Sequence, residues 1–93
     1  MVMMYATNSM LEQWWDAVTV IIWGSTPKLV AENDLIQTKI KIAQHAGVHF
    51  SACKSCAEQL GVSDKLLDLG IEVMYWGEGL TNILKNEEKL ITI

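Results

Sequence analysis

Three short apolar segments recur along this chain: "VTVIIWG" (18–24), "VHFSA" (48–52) and "IEVMYW" (71–76), rich in β-branched and aromatic residues. Each is followed by residues patterned for helix, and this alternation constrains the fold more than any other feature. Strands that alternate with helices build a parallel sheet through right-handed crossovers, with the helices as covering layers. The first segment is apolar at successive positions, as expected of a strand buried on both faces. A fourth segment, "KLITI" (89–93), is predicted to close the sheet.

The intervening residues carry helix signals. In 2–12, Met3, Ala6 and Met10 fall on one face at i, i+3 and i+7. In 25–47, Pro27 suits a first turn, while Asn33 and Asp34 predict a break and a new cap midway. Ile36, Ile40 and Ala43 form one apolar stripe there, Leu35, Ile42 and Ala46 a second, and Gly47 is the expected terminator. "CKSCAEQL" is predicted helical up to Gly61, "SDKLLDL" from a Ser63 cap to Gly70, and "LTNILKN" as a last helix over 80–86. "WWDA" (14–17) reads as a turn. The expected order is α-β-α-β-α-β-α-β, in a single domain spanning residues 1–93. The opening helix is unusual, because alternating folds commonly begin with a strand.

Composition narrows the function classes. Seven basic against eleven acidic residues give a net charge of −4, and no Lys or Arg precedes Lys28. Nucleic acid and anionic membrane are therefore poor partners. The same gap leaves no positive region for a secretory signal, and apolar runs such as "VIIW" fall far short of the roughly 18 residues a membrane span requires. A cytoplasmic protein is expected. Hydrophobic residues make up 51% and charged residues 19%, a greasy balance that predicts self-association into a homo-oligomer. Trp14 and Trp15 are adjacent, so one is expected to pack inward and the other to cover a subunit interface.

The two cysteines, Cys53 and Cys56, stand where chemistry is expected. In open parallel sheets the functional crevice lies beyond the carboxyl ends of the strands. Three loops leave such ends here: "WGST" (23–26), "SACK" (51–54) and "YWGEG" (75–79). Cys53 falls at the first turn of the following helix, where amides and the helix dipole favour a thiolate. Lys54 is expected to add positive charge beside it. Cys56 lies nearly one turn on, within reach for a disulfide. Trp23, Gly24 and Ser25 from one loop, and Trp76, Gly77 and Glu78 from another, are predicted to wall the pocket.

Two other uses of CxxC fit poorly. "HAGVHFSACKSC" offers His45, His49, Cys53 and Cys56 as a nominal zinc set. His45 and Cys53 should lie at opposite edges of the sheet, roughly 20 Å apart at about 3.3 Å per extended residue, against a zinc–ligand bond of about 2 Å. No metal and no cofactor is expected. A thioredoxin-like exchanger would carry a proline after the thiols, whereas Pro27, the sole proline, precedes them.

Taken in order, the strand–"WG" loop, "AGVHFSACKSCA", the Gly61–Val62 that follows, and "LGIEVMYWGEGL" resemble the small DsrE/DsrF-like proteins over about residues 2–93. The resemblance implies a flavodoxin-like three-layer α/β/α fold with a mostly parallel sheet, and assembly into homo- or hetero-oligomers. Sulfur-relay members of that family, TusD-type subunits among them, carry sulfur as a cysteine persulfide. Cys53 occupies the active position, with Gly61–Val62 downstream; Cys56 is not shared by the relay members. The family's first strand is expected to precede Met1 and is missing from this sequence, through truncation or a late assigned start. In the family that strand lies centrally, between the strands at 18–23 and 48–52. Gly79 stands where relatives often carry a helix-opening proline.

Three functions remain open at this point. One is a sulfur relay in which Cys53 accepts sulfane sulfur from a donor protein and passes it to an acceptor, with Cys56 able to release it by disulfide formation. Another is a non-enzymatic oligomeric scaffold or small-ligand module with inert cysteines. The last is a CxxC redox switch.

Overall fold

The computed structural model describes residues 2–90. It has a flavodoxin-like α/β fold built on a parallel sheet, with three strands among the described residues: β1 (Thr19–Ile22), β2 (His49–Cys53) and β3 (Glu72–Met74), in the spatial order β1-β2-β3. The helices are α1 (Val2–Leu11), α2 (Thr26–Glu32), α3 (Asp34–His45), α4 (Lys54–Leu60), α5 (Ser63–Asp68) and α6 (Gly77–Lys85).

Local signals account for most element ends. Asn33 splits the long helical region as expected: its side-chain carbonyl accepts the Ile36 amide at 3.0 Å and caps α3. Gly47, at φ +102°, follows the Ala46 C-cap, and Gly61 ends α4 in the left-handed region at φ +70°. Ser63 does not cap α5: Val62 holds that position, and the Ser63 hydroxyl is buried without a partner. Helix α6 begins at Gly77, three residues before the expected start. Of the proposed last strand, Lys89 and Leu90 lie in no regular element, and 91–93 fall outside the described residues.

The sheet closes over the place where the resemblance puts a further strand. β1 pairs directly with β2, Thr19 beside His49 through Ile22 beside Ala52, so no strand lies between them. β2 pairs on its other side with β3, Ser51 beside Glu72 through Cys53 beside Met74. Among the described residues β1 is thus an edge strand. Ile22 is buried, but Thr19 is exposed and Val20 and Ile21 are half-covered, so β1 is not buried on both faces.

The strands advance in one direction across the sheet, so right-handed crossovers put α2 through α5 on one face. Contacts of α2 with α4 and α5, and of α4 with α5, agree with a single layer. Beneath it, Ile22, Phe50 and Ala52 from the strands meet Val30, Ile40, Ala43, Ala57 and Leu66 from the helices. Helix α1 joins through Ala6, with Met3 and Met10 packed alongside. The Ile40–Ala43 stripe of α3 faces this core, whereas Leu35 and Ile42 of the second stripe face solvent. The thin axis of 19 Å is about one helix diameter plus one sheet thickness.

The opposite face of the sheet alternates with the core face and carries Thr19 and Ile21, His49, Ser51 and Cys53, and Glu72 and Met74. Trp76, at the head of α6, lies on it. Neither Trp14 nor Trp15 enters the core. Both remain exposed and gather on Tyr5: the Trp14 ring centroid lies 6.1 Å from that of Tyr5, and the Trp15 indole N–H donates to the Tyr5 hydroxyl at 3.3 Å.

Phe50 is fully enclosed by this single core. Phe50→Ala is expected to lower unfolding free energy in urea by about 3–5 kcal/mol, while Leu35→Ala on the solvent stripe should change it by less than about 0.5 kcal/mol.

Candidate functional site

β2 ends at Cys53, which is also the N-cap of α4, in extended backbone at φ −67°, ψ 118°. An N-cap side chain ordinarily turns over the first helical turn toward the amides at N2 and N3. Here those positions are Ser55 and Cys56. A neutral thiol is a poor acceptor, and Cys53 makes no capping hydrogen bond in that form. As a thiolate it is a different matter. Burial pushes the Cys53 thiol up, but the Cys56 amide, the Cys56 thiol and the Ser55 and Trp76 amides outweigh it and hold the group below the ordinary cysteine range.

Cys56 is pushed the other way. The hydrogen bond it gives to Cys53 and its own burial raise it, the Gly24 amide pulls it down, and the charge on Cys53 raises it again. The pair therefore divides its order of ionisation: Cys53 gives up its proton first, and Cys56 keeps its own longer. Neither is in a disulfide, and Cys53 is only 6% exposed, while Cys56 is half-buried. The sulfur expected to stand open at the crevice is instead largely covered.

All three strand-end loops reach this point, through backbone more than side chains. Gly24, in the left-handed region at φ +70°, presents its amide to Cys56. Trp76 presents its amide to Cys53. Trp23 stays exposed, Ser25 occupies the N-cap of α2 without a side-chain capping bond, and Gly77 and Glu78 open α6, both exposed. Lys54 departs from expectation. Its ammonium lies 5.2 Å from the Tyr75 ring centroid and 3.9 Å from Glu58 Oε1, on a half-exposed side chain. The groups that favour the Cys53 thiolate are amides and a thiol, not this cation.

A second set of polar groups was not anticipated as part of the site. The Trp76 indole N–H donates to Ser51 Oγ at 2.7 Å. Ser51, fully buried, donates to Glu72 Oε1 at 3.4 Å, and Glu72 lies 3.7 Å from His49 Nε2. Ser51 precedes Cys53 by two residues on the same face, so this chain ties Trp76, and hence its amide, to the strand that carries the thiol. The signal in the sequence was polar residues at alternate positions, His49 and Ser51 in "HFSAC" and Glu72 in "EVM". Gly79 belongs to the same arrangement: a Cβ there would meet the Trp76 ring at 2.9 Å. A proline at this position would meet the same ring.

No protein-family model and no curated protein matches the chain. Among solved structures it is similar to a conserved protein of unknown function from Bacteroides thetaiotaomicron, BT1422, at 42% identity and a TM-score of 0.97, over 100% of this chain and 80% of that one.

Two outcomes test this geometry. Thiolate absorbance followed against pH should rise in two steps, one below and one above the ordinary cysteine value. Cys56→Ala should remove the upper step and move the lower one upward, because Cys53 loses a donor; one unshifted step for both thiols would contradict the cradle. In urea denaturation, Trp76→Phe should cost about 1–3 kcal/mol, because the buried Ser51 hydroxyl loses its short partner. Gly79→Ala should also destabilise, although helix propensity alone favours it by about 1 kcal/mol.

Proposed function

The chain belongs to the family of the Bacteroides thetaiotaomicron protein, and we propose that in this member Cys53 accepts and passes sulfane sulfur. The observation that carries the reading is the placement of Cys53 at the end of β2 and the N-cap of α4, with a second free thiol at N3, where nearby amides draw the ionisation of Cys53 below the ordinary cysteine range. The resemblance to DsrE/DsrF-like sulfur-relay proteins supports it.

The chemistry is thiol exchange. The Cys53 thiolate attacks the outer sulfur of a donor persulfide, R–S–SH. A new S–S bond forms at Cys53, the donor S–S bond breaks, and the donor leaves as its thiolate. The backbone amides that held the Cys53 charge then face the persulfide. Delivery is the same exchange in reverse order, with an acceptor thiolate taking the outer sulfur and Cys53 regaining its charge. Burial of Cys53 favours a slender unbranched sulfur chain over a bulky electrophile.

Reduced thiols suit a cytoplasmic setting, and no described helix is long and apolar enough to cross a membrane. Donor and acceptor proteins are the partners this reading requires. Self-association fits the exposed apolar cluster of Met4, Tyr5, Leu11, Trp14 and Trp15. That cluster, together with the burial of Cys53, also favours a second reading, an oligomeric scaffold with unreactive thiols.

One measurement separates the two. After brief exposure to inorganic polysulfide and desalting, Cys56→Ser should weigh one sulfur atom more and return to its original mass with a reductant. Cys53→Ser should gain nothing. Unmodified masses for both variants would leave the scaffold.

A further inference from the structure

Cys56 is half-buried beside a sulfur that is almost wholly enclosed, and it sits at N3 of the helix that Cys53 caps. The two thiols share one helical turn, and each bears on the other's ionisation, Cys53 drawn down and Cys56 pushed up. An acceptor on another protein must reach past this group to meet a sulfur bound at Cys53. Cys56 stands on the same helical turn. Resting on the sulfur-carrying reading above, we propose that, where no acceptor protein takes the outer sulfur, Cys56 is a resolving thiol that discharges the Cys53 persulfide within the chain, releasing hydrosulfide and leaving a Cys53–Cys56 disulfide.

The step balances without an outside oxidant. The loaded site is Cys53–S–S⁻ with Cys56–SH beside it. The Cys56 proton passes to the outer sulfur, and the Cys56 sulfur attacks the inner one, Sγ of Cys53. The Sγ–Sγ bond forms, the persulfide S–S bond breaks, and its electron pair leaves with the outer sulfur as HS⁻. The sulfane sulfur is reduced to sulfide, and the two cysteines are oxidised to the disulfide. A dithiol reductant then resets the pair.

Three features favour this route over simple retention. The Gly24 amide stabilises negative charge on Cys56 as its proton departs. The N-cap and N3 positions of one turn make the two side chains neighbours, residues three apart on a helix having Cβ atoms about 5–6 Å apart. The covered position of Cys53 also keeps competing thiols from the inner sulfur, leaving Cys56 as the group within reach.

The test uses the full chain, reduced and kept free of oxygen, with inorganic polysulfide as the probe. The wild-type protein, Cys56→Ser and Cys53→Ser are each exposed briefly, desalted and weighed over time. The proposal expects wild type to become two hydrogen atoms lighter and to restore its mass with a dithiol. Cys56→Ser should stay one sulfur heavier, its persulfide persisting at least about 10-fold longer than any loaded wild-type species. If wild type retains the added sulfur as long as Cys56→Ser does, the resolving role is overturned and the carrier reading survives. If Cys56→Ser takes up no sulfur, both fall together. A wild-type disulfide with no dependence on the probe, equal in its absence, would also overturn the proposal.

Discussion

The structure depends on β2 being paired on both sides in one register. Its five residues carry two chemistries on opposite faces. Phe50 and Ala52 enter the core beneath the helices, and Ser51 and Cys53 face the other way. A slip of one residue would exchange these sets, placing Cys53 among hydrocarbon and Phe50 against Trp76. The pairing of Val20 with Phe50 and of Ala52 with Val73 keeps apolar partners together on the helix-covered face. The burial that stabilises the fold therefore also aims the thiol.

Backbone carries most of the electrostatics of the site. Amides of Ser55, Cys56 and Trp76 offset the cost of burying charge on Cys53, and no cation takes part in that balance. Peptide dipoles fixed by a helix start and a strand end need no reorganisation when the thiolate forms. They are also insensitive to the salt that would screen an exposed lysine. Lys54 serves its surroundings instead, spanning Glu58 and the Tyr75 ring at the surface. The bond from Trp76 to Ser51 holds one of the three amide-bearing loops to the strand, which makes a side-chain contact outside the thiol pair part of the same electrostatic arrangement.

Much of the architecture was legible because its signals are local. The recap at Asn33, the glycines that end α3, α4 and α5, and the three strand segments all follow from backbone preferences of a few neighbouring residues. The meeting of the loops at 23–26, 51–54 and 75–79 follows from parallel topology. Other features depend on residues distant in sequence. Which stripe of α3 is buried, Ile40 and Ala43 or Leu35 and Ile42, is settled by where the sheet lies. Trp14 and Trp15 are large and apolar, yet their partner is Tyr5 of α1 on the surface.

From the order of its residues alone, this chain was bound to alternate strand with helix and to place Cys53 at a strand-to-helix junction, because both are consequences of short-range patterning. Only the folded arrangement decided that β1 lies directly against β2, that Lys54 turns away from the thiols, and that Trp76, Ser51, Glu72 and His49 form one chain. Those outcomes rest on register and on contacts across more than twenty residues. Such contacts are selected by the burial of the whole sheet, not by the preferences of any one segment.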